Sequence, residues 1–241
     1  MPRSKRTQQT EGKEKIDPFV ELWHPIIAYE HISRYELAST ALHGRVLDLG
    51  CGYGYGCKVM TRSETINEIV GLDIDISKKL VDYQGHEFIC ADAHNLPFKN
   101  NAFGSIVCAG LIEHVEEPQK VLSEAKRVLC RGGKILVSTP NKKYFIRLIY
   151  KAMLNAMGLR VSHFSNPYHK KEYSCPELKK SLGAIFVIEK IEGQSIFPPL
   201  GGGSLISVLT QLPASLWKAT ISIGKHFPSL SRDIVILCKK A

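Results

Sequence analysis

The stretch VLDLGCGYGYG (46–56) runs from apolar residues through an acid, Asp48, into alternating glycines. Glycines placed directly after a strand allow a tight turn and let a ligand approach the backbone. In an open parallel sheet, ligands sit beyond the carboxyl ends of the strands. An acid at the end of the second strand takes a ribose hydroxyl pair, and Asp73 in GLDID stands in that place. Asp92, in CADAHNLPF, follows a third strand. Its carboxylate can accept a hydrogen bond from an adenine amino group. The three acids and the loop together describe a ligand that contains a nucleoside.

The glycine spacing narrows the choice. A dinucleotide site needs G-x-G-x-x-G and a helix N-terminus aimed at the pyrophosphate. Here the glycines fall at 50, 52, 54 and 56. An acid at the mouth of the loop repels a pyrophosphate and attracts an ammonium or a sulfonium. This favours S-adenosylmethionine over a nicotinamide dinucleotide.

Strands and helices must alternate to present such a loop. Strand-like runs are RVLDLG (45–50), EIVGLD (68–73), EFIC (87–90), SIVCAG (105–110) and KILVST (134–139). The spacing predicts a helix over Pro118–Leu129, with Pro118 in its first turn. Gly132-Gly133 is expected to end its connection to the next strand. Later strands are expected over 185–191 and 233–238. Near-continuous apolar strands separated by helices imply an α/β fold whose parallel sheet is covered on both faces.

Further motifs follow in order: HISRYELA (31–38), GLIEHV (110–115) and LCRGGKILVSTPN (129–141). Together with the loop, GLDID and ADAHNLPF, they resemble the class I S-adenosylmethionine-dependent methyltransferases of the small-molecule type, methyltransferase type 11-like. The resemblance covers about residues 31 to 141. It implies a Rossmann-like, seven-stranded, mostly parallel sheet with helices on both faces and the last strand antiparallel. It also implies roles by position. Gly50, Cys51, Gly52 and Gly54 would line the methionine part of the cofactor. Asp48 would hold its amino group through water or neighbouring backbone. Asp73 and Ile74 would frame the ribose, Asp92 and Ala93 the adenine, and Ala109 and Gly110 would pass under the cofactor. Arg34 or Tyr35 would close over its carboxylate end, although a helix packed on the sheet uses such residues too. FGSIV (103–107) departs from the family, which often has an acid after the Phe.

Methyl transfer needs alignment and exclusion of water. A hydroxyl acceptor also needs a base near neutral pKa. Glu113 and His114 follow the fourth strand, and His169 lies in NPYHKKEY (166–173) after the fifth. These three are the catalytic candidates. Each also has a structural reading, as a wall of the site or as lid packing. His43, His86, His94 and His163 read as surface or structural.

The 241 residues suffice for one large domain with a real core. Residues 1–15 read as a disordered basic tail and 16–241 as a single domain. No apolar run reaches transmembrane length, and the basic start lacks the apolar core of a secretory signal. The seven cysteines are scattered, with no C-x-x-C pair, which suits reduced thiols in a cytoplasmic protein. No cluster of ligands along the chain points to a metal.

The formal charge of +9 is uneven. Residues 142–180 hold nine bases and two acids and read as a basic helical lid insertion. An apolar helical insertion is expected over 200–226. A basic lid suits an anionic acceptor or an anionic membrane surface. Peripheral contact with the inner face of the membrane would run through 142–160 and 205–223, and a vesicle flotation assay tests it. Nucleic acid is disfavoured, because no RNA-binding module is apparent and AGLIEH stands where an NPPY-type motif would be. The expected reaction is methyl transfer to an oxygen of a sugar or lipid-linked glycan intermediate. The alternatives are a quinone-like or other lipophilic acceptor and, in a different class, a non-catalytic cofactor-binding interaction protein.

Overall fold

A computed structural model of the chain describes residues 25–76, 86–144, 168–195, 219 and 222–241. The expected tail, most of the basic insertion and most of the apolar insertion lie outside these residues.

Seven strands form one sheet: β1 (Gly44–Leu49), β2 (Ile66–Asp73), β3 (Glu87–Cys90), β4 (Phe103–Ala109), β5 (Leu129–Pro140), β6 (Val187–Gln194) and β7 (Asp233–Lys239). Their order is β3-β2-β1-β4-β5-β7-β6. Strands β1 to β5 pair in parallel. β7 lies between β5 and β6 and is antiparallel to both. The expected architecture is present, last strand included. Chain direction along the sheet switches between β1 and β4, which opens a crevice beyond their carboxyl ends.

Among the described residues, the two faces are covered by helices that include α1 (Pro25–Ala41), α2 (Tyr55–Met60), α3 (Pro118–Val128) and α4 (Cys175–Gly183). On one face Tyr35 and Ala38 of α1 and Cys57, Val59 and Met60 of α2 bury against Val46 and Val107. On the other, Val121, Leu122, Ala125 and Val128 of α3 and Leu178 and Leu182 of α4 bury against Leu47, Leu49 and Ile106. The helical spacing of these α3 residues puts them on one stripe. Strand alternation then sends Val46 and Leu47 to opposite sides.

The connection expected at Gly132-Gly133 is instead part of β5, which begins at Leu129. The pairing with β4 breaks register between Phe103 and Ser105. Gly132 takes a φ of +74°, and a Cβ on Gly133 would fall 2.7 Å from the Gly104 carbonyl oxygen. The glycines therefore make a bulge with close strand contact rather than a linker.

Candidate active site

The loop after β1 is shaped by backbone conformation. Gly50, Gly52 and Gly54 take φ of +81°, +56° and +78°. This is the left-handed region that glycine enters without steric cost. A Cβ on Gly52 would meet nothing within 4 Å, so this part of the loop faces open space. The amides of Gly50 and Cys51 donate to the Leu72 carbonyl at 2.8 and 3.0 Å, and Cys51 is buried. The Gly52 amide donates to Asp73 Oδ2 at 2.9 Å. Asp73 thus fixes the loop as well as standing at the end of β2. Its Oδ1 accepts from the Asp75 amide at 3.1 Å. Ile74 beside it is exposed.

Asp48 does not stand at the open mouth of the loop, and the expectation that it would is corrected here. Its side chain is fully buried. Strand alternation puts it on the α1–α2 side with Val46. There it accepts from Tyr35 Oη at 3.1 Å and from Cys57 Sγ at 3.5 Å. Burial pushes the Asp48 carboxyl up to about 7, against the pull of the two hydrogen bonds. Tyr35 lies under the loop, edge-on to Tyr55 at 5.3 Å. His31 Nδ1 is 2.9 Å from Tyr55 Oη. The sequence motifs that contain Tyr55 and His31 assign these residues, like Cys57, no role of their own. Contact across helices carries no period in the chain, so no local signal marks them.

Asp92 is half exposed and accepts through Oδ1 from the amide and Nδ1 of His94, at 2.9 and 2.6 Å. These bonds hold its carboxyl below the usual range. Ala93 beside it is buried. Beyond β4, Gly110 takes a φ of +69°, and its amide donates to the Ser138 carbonyl at 2.9 Å. A Cβ there would lie 3.6 Å from Glu113 Oε1 and 3.7 Å from Arg34 Nη1. Arg34 is buried, with Nη2 3.8 Å from Asp233 Oδ2. Of the Arg34–Tyr35 pair, the arginine reaches the Gly110 turn and the tyrosine reaches Asp48.

The three catalytic candidates converge. The rings of His114 and His169 lie edge to face, with centroids 4.9 Å apart. Donor atoms of Glu113, His114 and His169 all lie within 4.8 Å of one another. Spacing along the chain shows no such cluster, because these donors meet only across loops of the fold. The Glu113 carboxylate is buried and accepts from Thr139 Oγ1 at 2.9 Å. Burial raises its pKa, while the neighbouring His114 works in the opposite direction. The Glu113 carbonyl accepts from the amides of Lys170 and Lys171 at 2.7 and 3.1 Å, which fastens the loop carrying His169. His114 Nδ1 is 3.2 Å from the Tyr168 carbonyl. A carbonyl only accepts, so this contact puts the proton on Nδ1 and leaves the Nε2 lone pair as base or ligand.

Residues 47–137 match the family model described as a methyltransferase domain. The chain is 33% identical over 168 residues to the demethylmenaquinone methyltransferase of Thermotoga maritima, covering 65% of this chain and 72% of that protein. It is 27% identical over 157 residues to the ubiquinone biosynthesis O-methyltransferase of Coxiella burnetii, covering 57% of this chain and 66% of that one, just under two thirds. Among solved structures, the SAM-dependent methyltransferase of Archaeoglobus fulgidus superposes with a TM-score of 0.56 at 18% identity, covering 89% of this chain and 94% of the other. That last likeness is one of fold.

Proposed function

This chain belongs to the class I S-adenosylmethionine-dependent methyltransferases, and from that premise we propose that it methylates a hydroxyl oxygen of a small, lipophilic, quinone-like acceptor. Its enzymatic class is methyl transfer with S-adenosylmethionine as cofactor. The names of the Thermotoga and Coxiella relatives favour a quinone-like acceptor over the sugar or lipid-linked glycan first expected. The observation that carries the oxygen is the convergence of His114 and His169 beside Glu113.

The loop residues fit this cofactor. Gly52 leaves open space where a side chain would stand, and three positive-φ glycines keep the backbone within reach. In this reading Gly50, Cys51, Gly52 and Gly54 line the methionine part, with Arg34 beside the Gly110 turn. Asp73 and Ile74 frame the ribose, and Asp92 and Ala93 the adenine. Asp48 acts from beneath the loop, through backbone or water. The bound cofactor supplies an electrophilic methyl carbon on a sulfonium. The chain's own contribution is to align the acceptor and remove its proton. His114 Nε2 or the His169 imidazole takes that proton as the oxygen attacks, and Glu113 stabilises the imidazolium that forms.

The test uses cofactor labelled in its methyl group, offered with hydroxylated quinols and with glycan acceptors. Label on the quinol is the expected result, and label confined to the glycan would overturn the acceptor assignment. His114→Gln and His169→Gln address the base. At least one should lower turnover by about 10²-fold, the usual scale of general base catalysis. Cofactor affinity, read by calorimetry, should stay unchanged in both. Wild-type turnover in both variants would exclude a base role for either histidine.

A further inference from the structure

We propose that Glu113, His114 and His169 hold a divalent transition-metal cation, and that this cation binds the acceptor oxygen. Two imidazole nitrogens and one carboxylate oxygen, with donor atoms within 4.8 Å of one another, form a two-histidine, one-carboxylate set. Such a set suits zinc, manganese, iron or cobalt and leaves coordination positions open to a substrate.

Outer contacts orient the donors, as they do in metal sites. Thr139 Oγ1 donates to Glu113 Oε2 at 2.9 Å, which leaves Oε1 toward the Gly110 turn. The Tyr168 carbonyl engages His114 Nδ1 at 3.2 Å and so presents Nε2 as the ligand atom. Glu172 Oε1 lies 3.8 Å from His169 Nδ1. The Lys170 and Lys171 amides bind the Glu113 carbonyl and pin the loop that carries His169. A buried carboxylate needs compensating charge. Arg34 and His114 lie near enough to Glu113 to supply part of it, and a cation bound at Oε1 would add to it.

This inference rests on the proposed function only for the place of the acceptor, and it puts a metal-bound acceptor oxygen in place of the histidine base. It names the acceptor class as one whose hydroxyl, alone or beside a second oxygen, ligates a metal. The acceptor O–H would ionise on the cation, as a metal-bound water does, with its proton passing to solvent. The oxygen lone pair then forms the bond to the methyl carbon. The carbon–sulfur bond breaks, and its electron pair returns to sulfur.

Cobalt(II) titrated into the full chain after chelator treatment gives a direct reading through its visible absorption. One equivalent should saturate wild type, and zinc should displace it. Glu113→Gln and His169→Gln should each weaken uptake at least 10-fold. Absence of saturable uptake, or equal uptake in both variants, overturns the proposal. A second arm needs no variant. Chelated wild type should keep its cofactor affinity, lose at least 10-fold in acceptor methylation and recover with manganese or zinc. Full turnover without metal overturns the cation and leaves an imidazole as the base. Absence of methylation under every metal condition, with cobalt still bound, would instead count against the acceptor assignment.

Discussion

Beyond β1, the surface offered to a ligand is mostly backbone, whereas beyond β4 and β5 it is side chains. The first region is built from consecutive residues. Gly50, Gly52 and Gly54 set its shape, and Asp73 ties it to the neighbouring strand. The second is built from residues far apart in the chain. Thr139 comes from the end of β5, Glu113 and His114 from the turn after β4, and His169 from a loop held by the Glu113 carbonyl. The division suits the two partners of a methyl transfer. Under the proposed assignment, a fixed cofactor would be served by a fixed backbone cradle and a variable acceptor by side chains that can be exchanged.

The largest test of this contrast lies inside the glycine run. Gly56 belongs to α2, not to the cradle, and a Cβ there would fall 2.1 Å from Tyr35 Cε1. The Tyr35 ring is buried and bonded to Asp48, so it has little room to retreat. Gly56→Val should therefore cost about 3 kcal/mol or more in urea unfolding. Gly52→Ala places its Cβ in open space and meets only the penalty of a left-handed backbone, about 1–2 kcal/mol. It should lose cofactor affinity instead. Equal loss of stability in the two variants would break the distinction between cradle and support.

Asp48 gives the next largest effect, and its sign follows from burial. Its carboxyl is raised from the ordinary 3.8 to about 7. A group that holds its proton more tightly when folded stabilises the fold below its unfolded pKa. That stability is lost as pH rises toward the folded value. The wild type should therefore weaken between about pH 4 and pH 7, with the raised carboxyl of Glu113 acting in the same direction. Asp48→Asn removes one of these titrations and keeps an acceptor for Tyr35. Its stability relative to wild type should improve by on the order of 2 kcal/mol between pH 5 and pH 7. Thermal melts at the two pH values measure this. An unchanged difference would mean that Asp48 stays ionised throughout, held by more charge than its contacts supply.

The legibility of the two regions differs for the same physical reason. Strand ends and loop glycines obey local rules, so β3 was read to the residue and β1, β2, β4 and β7 to within two. Gly132 misled because a glycine pair makes a bulge as readily as a turn, and only the pairing with β4 decides. Asp48 misled because the sequence shows its place on the strand but not the helix that covers it. Glu113, His114 and His169 were each visible as candidates. Their meeting was not, since it depends on amides of Lys170 and Lys171 finding one carbonyl.

The smallest effect tests whether the acceptor region can be loosened alone. Glu177 Oε2 accepts from the Ser174 hydroxyl at 2.7 Å and from its amide at 2.8 Å, closing the start of α4. Ser174 directly follows the loop that carries His169, and Tyr173 before it is tied back by the Lys142 amide at 2.7 Å. Ser174→Ala removes the hydroxyl and keeps the amide bond. The loss should be about 1 kcal/mol, the usual cost of an N-cap. Its functional trace should be one-sided, a several-fold fall in acceptor kcat/KM at unchanged cofactor affinity. The cradle after β1 shares no described hydrogen bond with this cap. A matching fall in cofactor affinity would show that the loop and the cradle move together. The separation between backbone cradle and side-chain cluster would then be one of composition only, not of energetics.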